Sequence, residues 1–242
     1  YWIAYPAWPT LAGYSKGVLG YSQREVVAGE VNAAKAAQGQ YRDKLAATPL
    51  DKVKSDPDLL RFAIAGGGAA FQTNCAPCHG RGAQGFAGYP NLNDDDWLWG
   101  GSIDDIHKTI SSGVRSDQKE TRASQMPRYG IDKLLDDKQI SDTAEYVLSL
   151  SGRSGDQAAV ARGRAIFAEQ CASCHGTDGK GKQEQGAPNL TDAIWLYGDS
   201  RSAIVESIRT GRGGMMPAWA GRLEPETLKA LAVYVHSLGG GK

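Results

Sequence analysis

The chain has 242 residues and balances 27 Lys and Arg against 27 Asp and Glu, so its charge implies neither a nucleic acid nor an anionic membrane surface as partner. Its 41% of hydrophobic residues is enough for one large or two small packed domains, and no apolar run approaches the ~20 residues of a membrane span. The chain opens with neither an initiator Met nor a signal peptide, and is expected to begin after a segment removed by processing or by cloning.

Residues 1–60 read as an arm and a helix. Tyr1, Trp2, Tyr5, Trp8, Tyr14 and Tyr21 crowd the start; such residues favour membrane–water interfaces and also make ordinary subunit contacts. Ser22 and Glu25 form a capping-box pattern opening a helix to about Ala46. Asp56-Pro57 is a second start signal, Asp as N-cap and Pro at the first helical position, for a helix running towards the Gly66–Gly68 break.

Two short stretches then carry the chemistry. The four cysteines stand in "CAPCHG" (Cys75, Cys78, His79) and "CASCHG" (Cys171, Cys174, His175). Cys-x-x-Cys-His is the attachment signature of c-type haem: each thiol becomes a thioether to a vinyl group, and the adjacent imidazole is held under the iron. A thioredoxin-like pair lacks the following His and wants a βαβ context. Paired zinc motifs lie about 15–20 residues apart, whereas these lie 96 apart.

The same offset marks an internal repeat. Gly67, Phe71 and Cys75 match Gly163, Phe167 and Cys171. A Gly and a Phe four apart share one helix face, the Gly admitting a neighbouring helix. Pro90-Asn91-Leu92 matches Pro188-Asn189-Leu190, Trp97 matches Trp195, and Met126-Pro127 matches Met216-Pro217. Each unit closes on an apolar helix bearing a tyrosine, Tyr146 or Tyr234. The expected layout is an arm over 1–60, a first domain over 61–151, a linker at 152–155 within "SGRSGD", and a second domain over 156–242. Units this small have thin cores, which a covalent haem would thicken.

A haem iron with a proximal His takes Met sulfur as the usual sixth ligand in electron-transfer cytochromes. Two of the three methionines stand together in the glycine-rich loop "GRGGMMPAWAGR". The repeat register selects Met216, with Met215 in the place of Gln125 and packing nearby; Met126 serves the first unit. His107 and His236 lie on amphipathic helices and read as solvated helical histidines. Between Trp and Met the first unit is the longer, and its extra stretch, Ser116–Ala123, reads as a polar surface loop.

The units resemble class I cytochrome c domains. "NLNDDDWLWGG", "APNLTDAIWLYG", "MPAWAGRL", "YVHSLGGGK" and the opening "YWIAYPAWPTLAGYSKGVLGYSQRE" resemble the dihaem subunit of cbb3-type cytochrome c oxidases, over almost the whole chain. The resemblance implies an all-α protein of two tandem cytochrome c domains behind a helical arm. It implies two covalent haem c groups on Cys75, Cys78, Cys171 and Cys174, with His79, Met126, His175 and Met216 as iron ligands. Pro90 and Pro188 would offer carbonyls to the imidazoles, and Trp97 and Trp195 would contact the haems.

The resemblance also implies a function: relaying single electrons from a soluble donor cytochrome c to the haem-containing subunits of an oxygen-reducing complex. It implies a place on the periplasmic side of the bacterial inner membrane and an anchoring helix ahead of Tyr1. No catalytic residue is expected, since iron closed on both faces has no open position. A free dihaem shuttle and a dihaem peroxidase are the alternatives. Residues 61–151 hold nine basic against twelve acidic residues and 152–242 eleven against nine, an asymmetry able to steer a basic donor to the first domain.

Overall fold

The computed structural model describes every residue except Trp2, Ala7, Ser15, Ser154 and 240–242; the aromatic position at Trp2 and the linker position at Ser154 thus fall outside the described residues. The chain divides into two compact units, Tyr1–Ala47 and Thr48–Lys242.

In the first unit, β1 (Pro9–Thr10) pairs antiparallel with β2 (Gly13–Tyr14), Pro9 opposite Tyr14. Tyr1 stacks on Tyr5 at 5.1 Å between ring centroids, and Tyr5 meets Tyr21 edge-on at 5.6 Å. The Ser22 hydroxyl accepts from the Glu25 amide at 3.3 Å and opens α1 (Gln23–Ala47), close to the span the capping pattern predicts. Trp8, Leu11, Tyr14, Val18 and Leu19 are exposed, as are Val26, Val27 and Val31 on α1. Among the described residues no helix is long and apolar enough to cross a membrane.

The second unit is helical. A 3-10 turn (Leu50–Ser55) leads into α2 (Pro57–Asn74), whose N-cap Asp56 accepts from the Asp58 and Leu59 amides. Then follow α3 (Ala76–His79), α4 (Ile103–Ser112), α5 (Asp137–Ser149), α6 (Gln157–Gln170), α7 (Ala172–His175), α8 (Arg201–Thr210) and α9 (Pro225–Ser237). Side chains begin most of them: Ser102 caps α4, Asp136 with Gln139 forms a capping box on α5, Asp156 caps α6 and Ser200 caps α8. Each such cap satisfies an orphan backbone donor and contributes about 1 kcal/mol. Leu50 and Val53 are buried and their turn packs against α2, α4 and α9, so this unit starts at Thr48 rather than at 61.

The helix pairs cross the repeat. The principal contacts are α2 with α9, α5 with α6, α4 with α9 and α5 with α8. A Cβ at Gly67 on α2 would overlap the Ala230 carbonyl and the Tyr234 side chain of α9, and the Phe71 ring lies 5.4 Å from that of Tyr234. Likewise a Cβ at Gly163 on α6 would overlap the Asp142 carbonyl of α5, and Phe167 lies 5.1 Å from Tyr146. Phe71 and Phe167 are fully buried, worth about 1.5–3 kcal/mol each, with the tilted aromatic pairs adding about 0.5–1.5 kcal/mol.

Each Gly–Phe helix therefore closes on the tyrosine helix of the other repeat. One core, from Tyr129 to Ile208, gathers α5, α6, α7 and α8. The other joins α2, α3 and α4 to the terminal α9 and so encloses the first in sequence. A division at 152–155 runs through the α5–α6 core, not between packing units. Both tyrosine helices carry the same pattern, and the short connection after α5 favours closing α6 onto it. Residues 150–156 bring α6 directly back onto α5.

Candidate haem sites

Both attachment signatures fold alike. Cys75 caps the end of α2 and Cys171 the end of α6, each followed by a single helical turn that ends on its histidine. The His79 Nδ1–H donates to the Pro90 carbonyl at 3.0 Å, and the His175 Nδ1–H to the Pro188 carbonyl at 3.1 Å. A carbonyl only accepts, so the proton sits on Nδ1 and Nε2 keeps its lone pair for a metal. Burial holds both imidazoles below their ordinary pKa, while the proline carbonyls work against that.

The cysteines sit where charge is disfavoured. Burial first, and then the neighbouring Cys78 or Cys174, pushes the Cys75 thiol up to about 11 and the Cys171 thiol up to about 12. A thiolate is costly there, whereas a neutral thioether is not. Cys78 is exposed and Cys174 half-buried.

The His175 site opens into a cleft lined by Phe167, Cys171, Cys174, Leu190, Trp195 and Ile204. Met126 lines this cleft too. Its loop is held there from two sides: the Tyr129 hydroxyl donates to the Gln170 carbonyl at 2.6 Å, and the Gly130 amide donates to the Arg209 carbonyl at 3.0 Å. Gly211, which ends α8 at φ +61, lies so close that a Cβ would meet the Met126 carbonyl.

Met216 stands in the matching relation to the other half. Val114, just past α4, and Met216 exchange backbone hydrogen bonds of 3.0 and 2.9 Å, and a Cβ at Gly113 (φ +72) would overlap the Met216 carbonyl. The Trp219 and Ala220 amides bond back to Ile110 and Ser111 on α4. The structure thus brings Met126 to His175, and places Met216 at the end of α4, in the half that carries His79. The repeat register pairs them the other way, Met126 with the first unit and Met216 with the second. Met215 is 72% exposed rather than packed.

Trp195 lines the cleft, its Nε1–H donating to the Asp192 carbonyl at 3.0 Å, with the Arg153 guanidinium over its ring. Trp97 is half-buried against Gly101. His236 lies 3.1 Å from the Lys54 ammonium, and His107 is half-buried with its pKa lowered by burial first and then by Lys229.

Several residues escaped the sequence reading. Arg115 and Arg212 line the Met126 cleft, and Leu98 reaches it from the other half; Arg212 also lies over Tyr197 at 4.8 Å. Arg122, within the stretch read as a surface loop, is 14% exposed and ion-pairs with Asp105 at 3.1 Å. Its Nε is buried without a hydrogen-bond partner, beside the Trp99 ring at 5.6 Å. An orphaned cationic donor in such a place is satisfied by an anion, and a haem brings two carboxylates. The donor set, the neutral sulfurs, the apolar cleft and the unpartnered Arg122 Nε all fit haem c.

Fold and sites together define a c-type cytochrome with two haem-attachment motifs. The family described as "Cytochrome c" matches residues 64–151, and the family described as "Cytochrome C oxidase, cbb3-type, subunit III" matches residues 158–235. Over its full length the chain is 53% identical to the cbb3-type cytochrome c oxidase subunit FixP of Bradyrhizobium diazoefficiens. It is 50% identical to subunit CcoP of Cereibacter sphaeroides and 48% to subunit CcoP of an Azospirillum species, spanning 84% of each of the three relatives. The chain belongs to the subunit III family of cbb3-type cytochrome c oxidases.

Proposed function

We propose that the chain is an electron-transfer subunit of a cbb3-type oxidase, carrying single electrons from a donor cytochrome c to the haem subunits of the complex. One site would hold a haem c through Cys75, Cys78, His79 and Met216, the other through Cys171, Cys174, His175 and Met126. When bound, each haem supplies a one-electron couple at an iron closed by imidazole and sulfur.

The chain's own residues do the rest. Pro90 and Pro188 fix the imidazole planes and keep Nε2 unprotonated. Gly113 and Gly211 let the sulfur loops close down, and methionine ligation favours the high potentials suited to accepting electrons from another cytochrome. Arg122, Arg115 and Arg212 offer positive charge to the propionate edges. With both faces closed the subunit has no catalytic step of its own. Thioether formation belongs to an oxidising compartment, which supports a place on the periplasmic side of the inner membrane.

The observation that carries this reading is the pairing of a proline-oriented histidine with a methionine in one cleft. Haem-stained, mass-analysed protein from a maturation-competent host should carry two haems, and Met216→Ala should remove one far-red sulfur-to-iron absorption band while Met215→Ala removes none. Rapid stoichiometric binding of carbon monoxide to one haem of the reduced protein would instead support a peroxidase-type enzyme.

A further inference from the structure

Arg115 follows Val114 beyond the end of α4. It is one of the few described non-glycine residues held at positive φ, +50°, a conformation uncommon for residues with side chains and retained only where the surroundings over-determine it. Its side chain shows what does so. The Nε–H donates to the Gly214 carbonyl at 2.7 Å, and Nη1–H donates to the Ser124 carbonyl at 2.6 Å. Gly214 stands two residues before Met216, and Ser124 two residues before Met126. The guanidinium also borders the Met126 cleft. One rigid fork therefore spans the two sulfur loops at equivalent points of the repeat.

We propose that Arg115 is a positioning residue that fastens both methionine loops at once, so that sulfur ligation at one iron is coupled to ligation at the other. This rests on Met126 and Met216 being the iron ligands. An arginine is required because its planar fork serves two acceptors in fixed directions, whereas an ammonium is a point donor. The bonds are charge-assisted and part-buried, the strong kind. Losing them raises the population of the sulfur-free form, by about tenfold or more at each haem.

The test uses the dihaem holoprotein. Met126→Ala and Met216→Ala each leave a single sulfur-ligated haem, and Arg115→Met and Arg115→Lys are placed in each background. The far-red sulfur-to-iron band is followed through a heat ramp in the oxidised state, helix content is followed in parallel, and carbon monoxide binding is measured in the reduced state. The expected result is that Arg115→Met weakens both: in each background the band disappears at a lower temperature, before the helices melt, and carbon monoxide uptake rises. Arg115→Lys should do the same at one haem at least, since it keeps the charge and loses the fork. Loosening confined to one background under Arg115→Met, a band that persists in both, or a band lost only together with the helices overturns the proposal. Absence of the band in the unsubstituted protein would strike the ligand assignment instead, so the two failures are distinguishable.

Discussion

Val114 and Met216, one from each repeat, exchange a reciprocal pair of backbone hydrogen bonds, 3.0 Å from the Val114 amide and 2.9 Å back. Gly211 and Met126 meet in the complementary place. These two contacts, with Gly67 of α2 against α9 and Gly163 of α6 against α5, knit the repeats into one nested body and decide what each part of the chain depends on.

A chain cut within 152–155 should stay whole. The fragment before the cut carries α5, the partner of α6, and the fragment after it carries α9, the partner of α2. With a protease site introduced there and cleaved, the two pieces should co-elute on size exclusion without denaturant and keep both far-red bands. Two independently eluting haem domains would refute the nested packing.

Gly67→Ala and Gly163→Ala should each cost about 1–3 kcal/mol in denaturant unfolding, because the added methyl enters a carbonyl of the facing helix. Gly66→Ala is the control. A Cβ there meets nothing within 4 Å, so the substitution should be neutral or stabilise by about 0.5–1 kcal/mol through helix propensity.

Asp142 should make the α5–α6 core acid-sensitive. Its side chain, 8% exposed, accepts from Arg162 at 2.7 and 2.9 Å and from Lys138 at 2.6 Å. The Arg162 bonds, then Lys138, hold its carboxyl down at about 2 against an ordinary 3.8, although burial opposes them. A depressed carboxylate stabilises above its unfolded pKa, and that stability is lost as pH falls through the folded one. Thermal melts should therefore drop between about pH 4 and pH 2. Asp142→Asn should lower the melting temperature at pH 7 and flatten that acid limb.

Asp96 should act in the opposite sense. Burial first, then Asp192 and Asp94, push its carboxyl up to about 6. A raised carboxylate pKa means that ionisation opposes folding: the favourable neutral form is fully present below the unfolded pKa and is lost as pH rises through 6. Asp96→Asn should raise the melting temperature at pH 7.5 and change it little at pH 4. Equal effects at both values would exclude the electrostatic cause.

Much of this was legible in the residues. The cysteine spacing marks two motifs that the structure folds alike, the Gly–Phe spacing marks the crossing face, and Asp56-Pro57 and Ser22 mark helix starts that the structure keeps. The partner of each face was not legible, because a repeat that presents the same pattern twice cannot say which copy it closes on. Arg122 and Arg115 were hidden for a related reason. Each lies in or beside a polar stretch whose composition signals solvent, and only the fold brings their guanidinium groups against Trp99 and the sulfur loops. Met215 is exposed where packing is expected, because a single residue outside a helix has no periodicity to fix its direction.

The enclosure of one core by the other also sets an order of assembly. The helices around His175 are contiguous and can gather as soon as α8 has emerged. The compartment around His79, whose cysteines emerge earlier, stays without its lid until α9, the last helix of the chain, has arrived. The cysteine pair that emerges first thus lies in the core that closes last.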